Sequence, residues 1–150
     1  MAYPFATIVC PIDFDGKAPA SLSIARKLAQ EHHSTVCLLH VIPSLPARGA
    51  GQLVDVSLEQ GTREEAARRR LEQLAAQHLS GCNCKIVVTP CEAPASVSTA
   101  VLETARQIEA DLIVMPTHGR TGLSHDLFGS VAEAVVRQSH CPVLTARMER

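Results

Sequence analysis

ADLIVMPTHGRTGLSHDLFGS, running from Ala110 to Ser130, carries the signals that decide the fold. Leu112 to Met115 is apolar without polar alternation, the pattern of a strand buried on both faces. Pro116 to Gly129 then forms a connection longer than an ordinary turn, with glycines at 119, 122 and 129. Ser130-x-x-Glu133 reads as a capping box that opens a helix. A strand, a long Gly-bearing loop and a helix in that order belong to an α/β architecture.

The same alternation extends in both directions. Upstream, Lys85 to Thr89 reads as a strand, followed by a helix that starts at Pro94 and carries Val97, Val101, Ala105 and Ile108 at helical period. Thr62 to Leu79 reads as a helix, opened by the box Thr62-x-x-Glu65, with Leu71, Leu74 and Ala75 on one face before Gly81. Thr35 to Val41 is a β-branched, apolar strand. Before it, Pro19 suits the first turn of a helix whose stripe is Leu22, Ala25, Leu28 and Ala29. Phe5 to Cys10 is a first strand that ends at Pro11 and Asp13, and downstream Pro142 to Ala146 is the last. The order βαβαβαβαβ predicts a parallel sheet with helices on both faces. Ile42 to Gly61, with Pro43, Pro46, Gly49 and Gly51, is a second long connection. Both long connections follow strands, so both fall on the carboxyl edge of the sheet, where open parallel sheets bind ligands.

At 150 residues the chain is expected to form a single domain, residues 1–150, with one real core. It is 46% hydrophobic and 19% charged with only 3% aromatic residues, so that core is built from Val, Leu, Ile and Ala, and disorder is excluded. A net charge of -1 supplies no electrostatic footprint for nucleic acid or an anionic membrane, and neither is expected as a partner. No apolar run approaches the ~18 residues of a spanning helix, and a strand-like run starts where a signal peptide would lie, so a cytoplasmic location is expected. Six cysteines (Cys10, Cys37, Cys82, Cys84, Cys91 and Cys141) are read as reduced, because Cys10 and Cys37 sit inside strand-like runs of a chain too long for a stapled scaffold.

Chemistry concentrates in the loop after Met115. Glycine lets backbone N–H groups approach a ligand closely, and the first turn of a helix offers unpaired donors and the positive end of its dipole. Phosphate suits such a site, and Ser130 could cap the helix and still donate its hydroxyl proton. An ordinary Gly-rich turn before a capped helix has the same composition. His118 and Arg120 flank Gly119 and could add positive charge, or form a solvated pair. Asp13, at a strand's carboxyl end, suits either a ligand contact or the cap of the next helix.

The segment resembles the nucleotide-binding signature of the universal stress protein family: Gly-x-x-Gly, nine residues, then Gly-Ser/Thr. Gly119, the nine residues Arg120 to Phe128, and Gly129-Ser130 match it, and Pro116 stands where the first glycine belongs. Pro11-Ile12-Asp13, Leu39-His40-Val41, the run Ala110 to Met115 and Cys141-Pro142-Val143-Leu144 are also similar to that family, so the resemblance spans nearly the whole chain. It implies an open five-stranded parallel sheet of order 3-2-1-4-5, Rossmann-like and of the adenine nucleotide alpha hydrolase-like type. It further implies a small ATP-binding stress-response or regulatory module, with ATP as ligand, with or without Mg²⁺, and at most slow hydrolysis. Pro11, Asp13 and Val41 would line the adenosine pocket, and Gly119, Gly129 and Ser130 would hold the phosphates. Met115, Pro116, His118, Arg120 and Val131 complete the implied set. A homodimer paired through the last strand, Pro142 to Ala146, is implied as well. The family also has members without the nucleotide motif, so a dimeric interaction protein that binds no nucleotide is the alternative. Proline has no N–H and holds φ near −65°, so Pro116 removes or alters any donor the glycine would supply. Glu92-Ala93-Pro94 departs from the family's Gly-x-Pro and brings a carboxylate close by.

Other motifs fail on spacing. Gly16-Lys17-Ala18 lacks the upstream glycine of a phosphate-binding Walker loop, and Gly49-Ala50-Gly51 has Val54 where a dinucleotide fingerprint needs its third glycine. Thr89-Pro90-Cys91 stands where a response regulator would carry its acceptor aspartate. His78, Cys82, Cys84 and Cys91 have donors enough for zinc but not the spacing of a common knuckle, and no metal site is expected. Arg68-Arg69-Arg70 is flanked at four-residue intervals by Glu64, Glu65 and Glu72, which reads as a paired, solvated helix face.

Overall fold

The structure is a computed structural model that describes residues 5–16, 18–44, 56–93, 96–117 and 129–147. Strands β1 (Thr7–Pro11), β2 (Thr35–Pro43), β3 (Asn83–Cys91), β4 (Leu112–Pro116) and β5 (Val143–Ala146) alternate with helices α1 (Ala18–His32), α2 (Val56–His78), α3 (Val97–Gln107) and α4 (Ser130–Gln138). All strand pairs are parallel and the sheet order is β3-β2-β1-β4-β5.

Because side chains alternate across a strand, each strand feeds two cores. Ile8, Cys10, Val36, Leu38, Leu112 and Val114 pack with Leu22, Ala25 and Ala29 of α1 and Leu71 of α2. The intervening residues Val9, Cys37, Leu39, Ile113 and Met115 pack with Val101 and Ala105 of α3 and Ala132 and Val135 of α4. This double burial explains why the strands read as continuous apolar runs. The register of β1 is pinned at its entrance by reciprocal bonds: Thr7 N–H donates to Asp111 Oδ2 at 2.9 Å, and Asp111 N–H donates to Thr7 O at 2.9 Å.

Several strand ends shift by one or two residues from the sequence-based expectation, and three differences have a physical reason. First, β3 runs on through Pro90 to Cys91. It is an edge strand, where a missing ladder donor is tolerated. Second, α2 begins at Val56, so Thr62 and Glu65 lie inside it and the box there is not a helix start. Gly61 costs its helix interior about 1 kcal/mol against Ala. Glu65 instead accepts from Arg69 at 2.7 Å, the exposed four-residue pairing expected of that face. Third, Gly129 rather than Ser130 is the N-cap of α4, and no side chain caps it. Glu133 turns outward to Arg137 at 2.9 Å instead of reaching back to the cap. Pro94, Gly49 and Gly51 lie outside the described residues.

All six cysteines are free thiols. Burial, then the neighbouring Cys37 and Cys84 thiols, pushes the Cys10 thiol far above its ordinary range, and burial with Cys84 pushes Cys37 up to about 11. A thiol whose folded pKa is raised favours the fold while protonated, so its contribution is complete below the unfolded value and is lost as pH rises through the folded one. Denaturation midpoints are therefore expected to fall from about pH 9 toward pH 11, and Cys10 and Cys37 to resist alkylation in the native state. Rapid modification of Cys10 in folded protein, read by mass spectrometry, would contradict this.

Candidate functional site

The β1–β4 seam stops early. Its register is Ile8↔Leu112 and Val9↔Ile113, although both strands continue, to Pro11 and Pro116. The reason is covalent. Ile12 N–H donates to Leu39 O on β2 at 2.8 Å, so by the alternation of a strand the nitrogen of Pro11 faces β4. Ile113 and Thr117 N–H groups donate to Pro142 O and Ala146 O on the β5 side, at 3.0 and 3.1 Å, so the nitrogen of Pro116 faces β1. Neither proline can donate, and the central seam cannot be bonded to its end.

At this point the structure has a crevice of about 90 Å³ that opens to solvent. Pro11, Asp13, Val41, Met115, Pro116 and Val131 line it, so six of the eleven residues singled out in the sequence come together. Val97 and Val101 of α3 and Ala132 of α4 supply further wall, which the sequence marked only as helix stripe or core. The lining is mainly apolar, and Asp13 and Asp15 are its acidic members. Asp13 Oδ1 accepts from the Asp15 N–H at 3.2 Å, which closes a tight turn onto α1.

The first turn of α4 contributes Val131 and Ala132 to the same lining. Gly129 N–H donates to Thr117 O at 2.6 Å, and the first intrahelical bond is Glu133 N–H to Gly129 O at 2.9 Å. Helix geometry leaves the N–H groups of Ser130, Val131 and Ala132 without intrahelical acceptors. The expectation for Ser130 and Gly129 is thereby altered in detail. Ser130 is the exposed first residue of the helix, and the Gly129 amide is bonded to Thr117 rather than presented to the crevice. His118, Gly119 and Arg120 lie outside the described residues.

A second cavity of about 510 Å³ shares Asp13 and Asp15 with the crevice and is walled further by Phe14, His40, Arg63 and Arg70. The sequence reading missed it. His40 was the available signal, a polar residue inside the apolar run of β2, and at 8% exposure it must bond within the fold. Its Nδ1 lies 2.6 Å from Ile12 O. Phe14 gave no comparable signal, since its place is set by contacts with α2. Among the described residues, no group of three potential metal ligands converges, and no helix is long and apolar enough to cross a membrane.

Comparison with known proteins places these features in context. The family model described as Universal stress protein family matches residues 4–147. Universal stress protein MJ0531 of Methanocaldococcus jannaschii is 32% identical over 149 residues, covering 95% of this chain and 82% of that protein. Universal stress protein A homolog 1 of Coxiella burnetii is 32% identical over 149 residues, covering 95% and 96%. Among solved structures, the protein MJ0577 superposes with a TM-score of 0.81 at 24% identity, covering 98% of this chain and 99% of that one, a likeness of fold. Two further structures of the same fold are complexes: a universal stress protein with cAMP (TM-score 0.68, 20% identity, 97% and 99% covered) and one from Archaeoglobus fulgidus with dAMP (0.60, 18%, 95% and 98%).

Proposed function

The chain belongs to the universal stress protein family, and from that premise we propose that it is an adenine-nucleotide-binding stress-response or regulatory module whose ligand occupies the β1–β4 crevice. The observation that carries the reading is the crevice itself. It brings two prolines and apolar side chains together with Asp13, Asp15 and residues of the first turn of α4. Val41 and Met115 suit the apolar face of a base, Asp13 accepts from sugar hydroxyls, and the Ser130 and Val131 amides receive phosphate at the positive end of the helix. His118, Gly119 and Arg120 join the phosphate end by the family resemblance. The complexes of related folds with cAMP and dAMP support an adenine nucleotide as the ligand class. ATP is the nucleotide proposed here, bound as a ligand with at most slow hydrolysis. Any Mg²⁺ would be held chiefly by phosphate oxygens and water, which suits that ion. The module is proposed to act in the cytoplasm.

Equilibrium dialysis of nucleotide-free protein against ATP, with and without Mg²⁺, tests the reading. Saturable binding is expected, and its absence at millimolar ATP would overturn it. Two features favour the second reading, a dimeric interaction protein with no nucleotide. Pro116 withdraws a donor from the crevice floor, and the Gly129 amide is already bonded. Pro116→Gly restores that donor and is expected to raise ATP affinity by up to about tenfold, a typical net hydrogen bond. It should also lower stability by ~0.4–1 kcal/mol through the looser unfolded chain. Calorimetric titration with a melting curve reads both, and unchanged affinity in a folded variant would show that the proline nitrogen does not limit binding.

We further propose that the chain pairs with a second copy through β5. Among the described residues, this strand is the last in the sheet and its outer edge carries no paired strand. Two such edges running antiparallel about a twofold axis would close into a dimer.

A further inference from the structure

Phe14 stands in the turn between β1 and α1 with φ +63°, the left-handed region that a bulky side chain rarely adopts. Contacts from two other elements hold it there. The Arg70 guanidinium carbon lies 4.0 Å from the centre of the Phe14 ring, within cation–π range. The His40 imidazole packs against the ring at 4.4 Å between centroids and a 42° tilt. The rings and guanidinium form a chain of contacts from α2 through the turn to β2. His40 also reaches back to the turn. Its Nδ1 is 2.6 Å from Ile12 O, and because a carbonyl only accepts, that nitrogen carries the proton.

Asp13 lies between these two anchored neighbours. Ile12 is held by Leu39 O and His40, Phe14 by the stack, and Asp13 faces both the crevice and the second cavity. On α2, Arg63 and Arg70 are seven residues apart and so share one face of the helix. Arg63 donates to Pro43 O at 3.1 Å, tying that face to the carboxyl end of β2. Strained backbone held by surrounding contacts recurs where a site is positioned.

We propose that the Arg70–Phe14–His40 stack is a latch that positions Asp13, so that the seating of α2 and the occupancy of the β1–β4 crevice are coupled. The positioning half stands on the stack alone, and the coupling half rests on the nucleotide reading of the crevice. His40, Phe14 and Arg70 are positioning residues in this scheme, since each acts on the ligand through Asp13. A ligand that fixes Asp13 also fixes the turn, and through the ring it fixes α2.

Hydrogen exchange on the full-length chain tests both halves, with wild type, Arg70→Gln, Phe14→Asn and Phe14→Tyr compared with and without ATP. Arg70 is exposed, so its substitution leaves the core intact. Asn tolerates the left-handed region but has no ring, whereas Tyr keeps the ring. Exchange of the amides in residues 12–16 is expected to rise about fivefold in Arg70→Gln, the scale of one cation–π contact, and further in Phe14→Asn. Phe14→Tyr should match wild type. ATP should slow exchange of residues 63–70 in wild type and Phe14→Tyr, and not in Phe14→Asn. Unchanged turn exchange in Arg70→Gln and Phe14→Asn, or a rise spread evenly over the whole chain, would overturn the latch. ATP protection of α2 that survives Phe14→Asn would overturn the coupling. If wild type binds no ATP, the nucleotide reading and the coupling fall together, and turn exchange alone still decides the positioning role.

Discussion

Val143→Pro is expected to turn a dimer into a monomer at micromolar concentration while leaving the fold intact, as read by analytical sedimentation and a melting curve. The expectation follows from which way the backbone of β5 points. Ile113 N–H donates to Pro142 O and Thr117 N–H to Ala146 O, with register Ile113↔Val143 and Met115↔Thr145. The backbone groups of residues 142, 144 and 146 therefore face β4, and those of Val143 and Thr145 face the outer edge of the sheet. Proline at 143 removes a donor that the β4–β5 ladder does not use, a position where edge strands accept it. In a twofold dimer the change deletes two intermolecular bonds, each worth ~0.5–1.5 kcal/mol net, so dimer affinity should fall by roughly ten- to a hundredfold. Leu144→Pro is the contrasting variant. Its N–H belongs to the β4 ladder, and it should destabilise the protomer itself. A monomeric wild type, or a dimer indifferent to Val143→Pro, would refute pairing through β5.

Val41→Phe should abolish saturable nucleotide binding. Val41 is buried at the carboxyl end of β2 and lines the crevice opposite α3 and α4. A phenyl ring there fills the space assigned to the base, and the main-chain register of β2 with β3, Val41↔Thr89, need not change. Overpacking of this kind costs about 1–3 kcal/mol, which a domain of ordinary stability survives. Circular dichroism and a melting curve establish that the variant is folded, and calorimetry with ATP then reads the site. Wild-type affinity in folded Val41→Phe would place the nucleotide elsewhere. Together with the Pro116→Gly titration, which enlarges the donor set rather than closing the slot, this separates a crevice that binds weakly from one that does not bind.

Much of the architecture was legible because it depends on local patterning. The apolar runs of β1, β2 and β4 carry no alternation because helices cover both faces, and the helix stripes Leu22–Ala25–Ala29 and Val101–Ala105 meet them as their spacing requires. Helix starts were less legible. Thr62-x-x-Glu65 and Ser130-x-x-Glu133 have the composition of caps, but Glu65 and Glu133 each face an arginine four residues on, and that pairing is equally compatible with the letters. In the site, Asp13 was legible because a parallel sheet binds ligands at its carboxyl edge, whereas Val41, Met115 and Val131 entered through the resemblance to the universal stress protein family.

What the amino-acid sequence determined by itself is the succession of elements, the buried character of each strand and the absence of donors at positions 11 and 116, since proline chemistry holds in any fold. Only the tertiary structure decided that those two prolines end adjacent strands and face one another's seam, because strand order depends on contacts about a hundred residues apart in the chain. It likewise decided that the Gly129 amide bonds Thr117, and that Phe14 lies between His40 and Arg70. Such contacts are selected by register and by helix docking, where many side chains pack at once, and no local periodicity encodes which pair will meet.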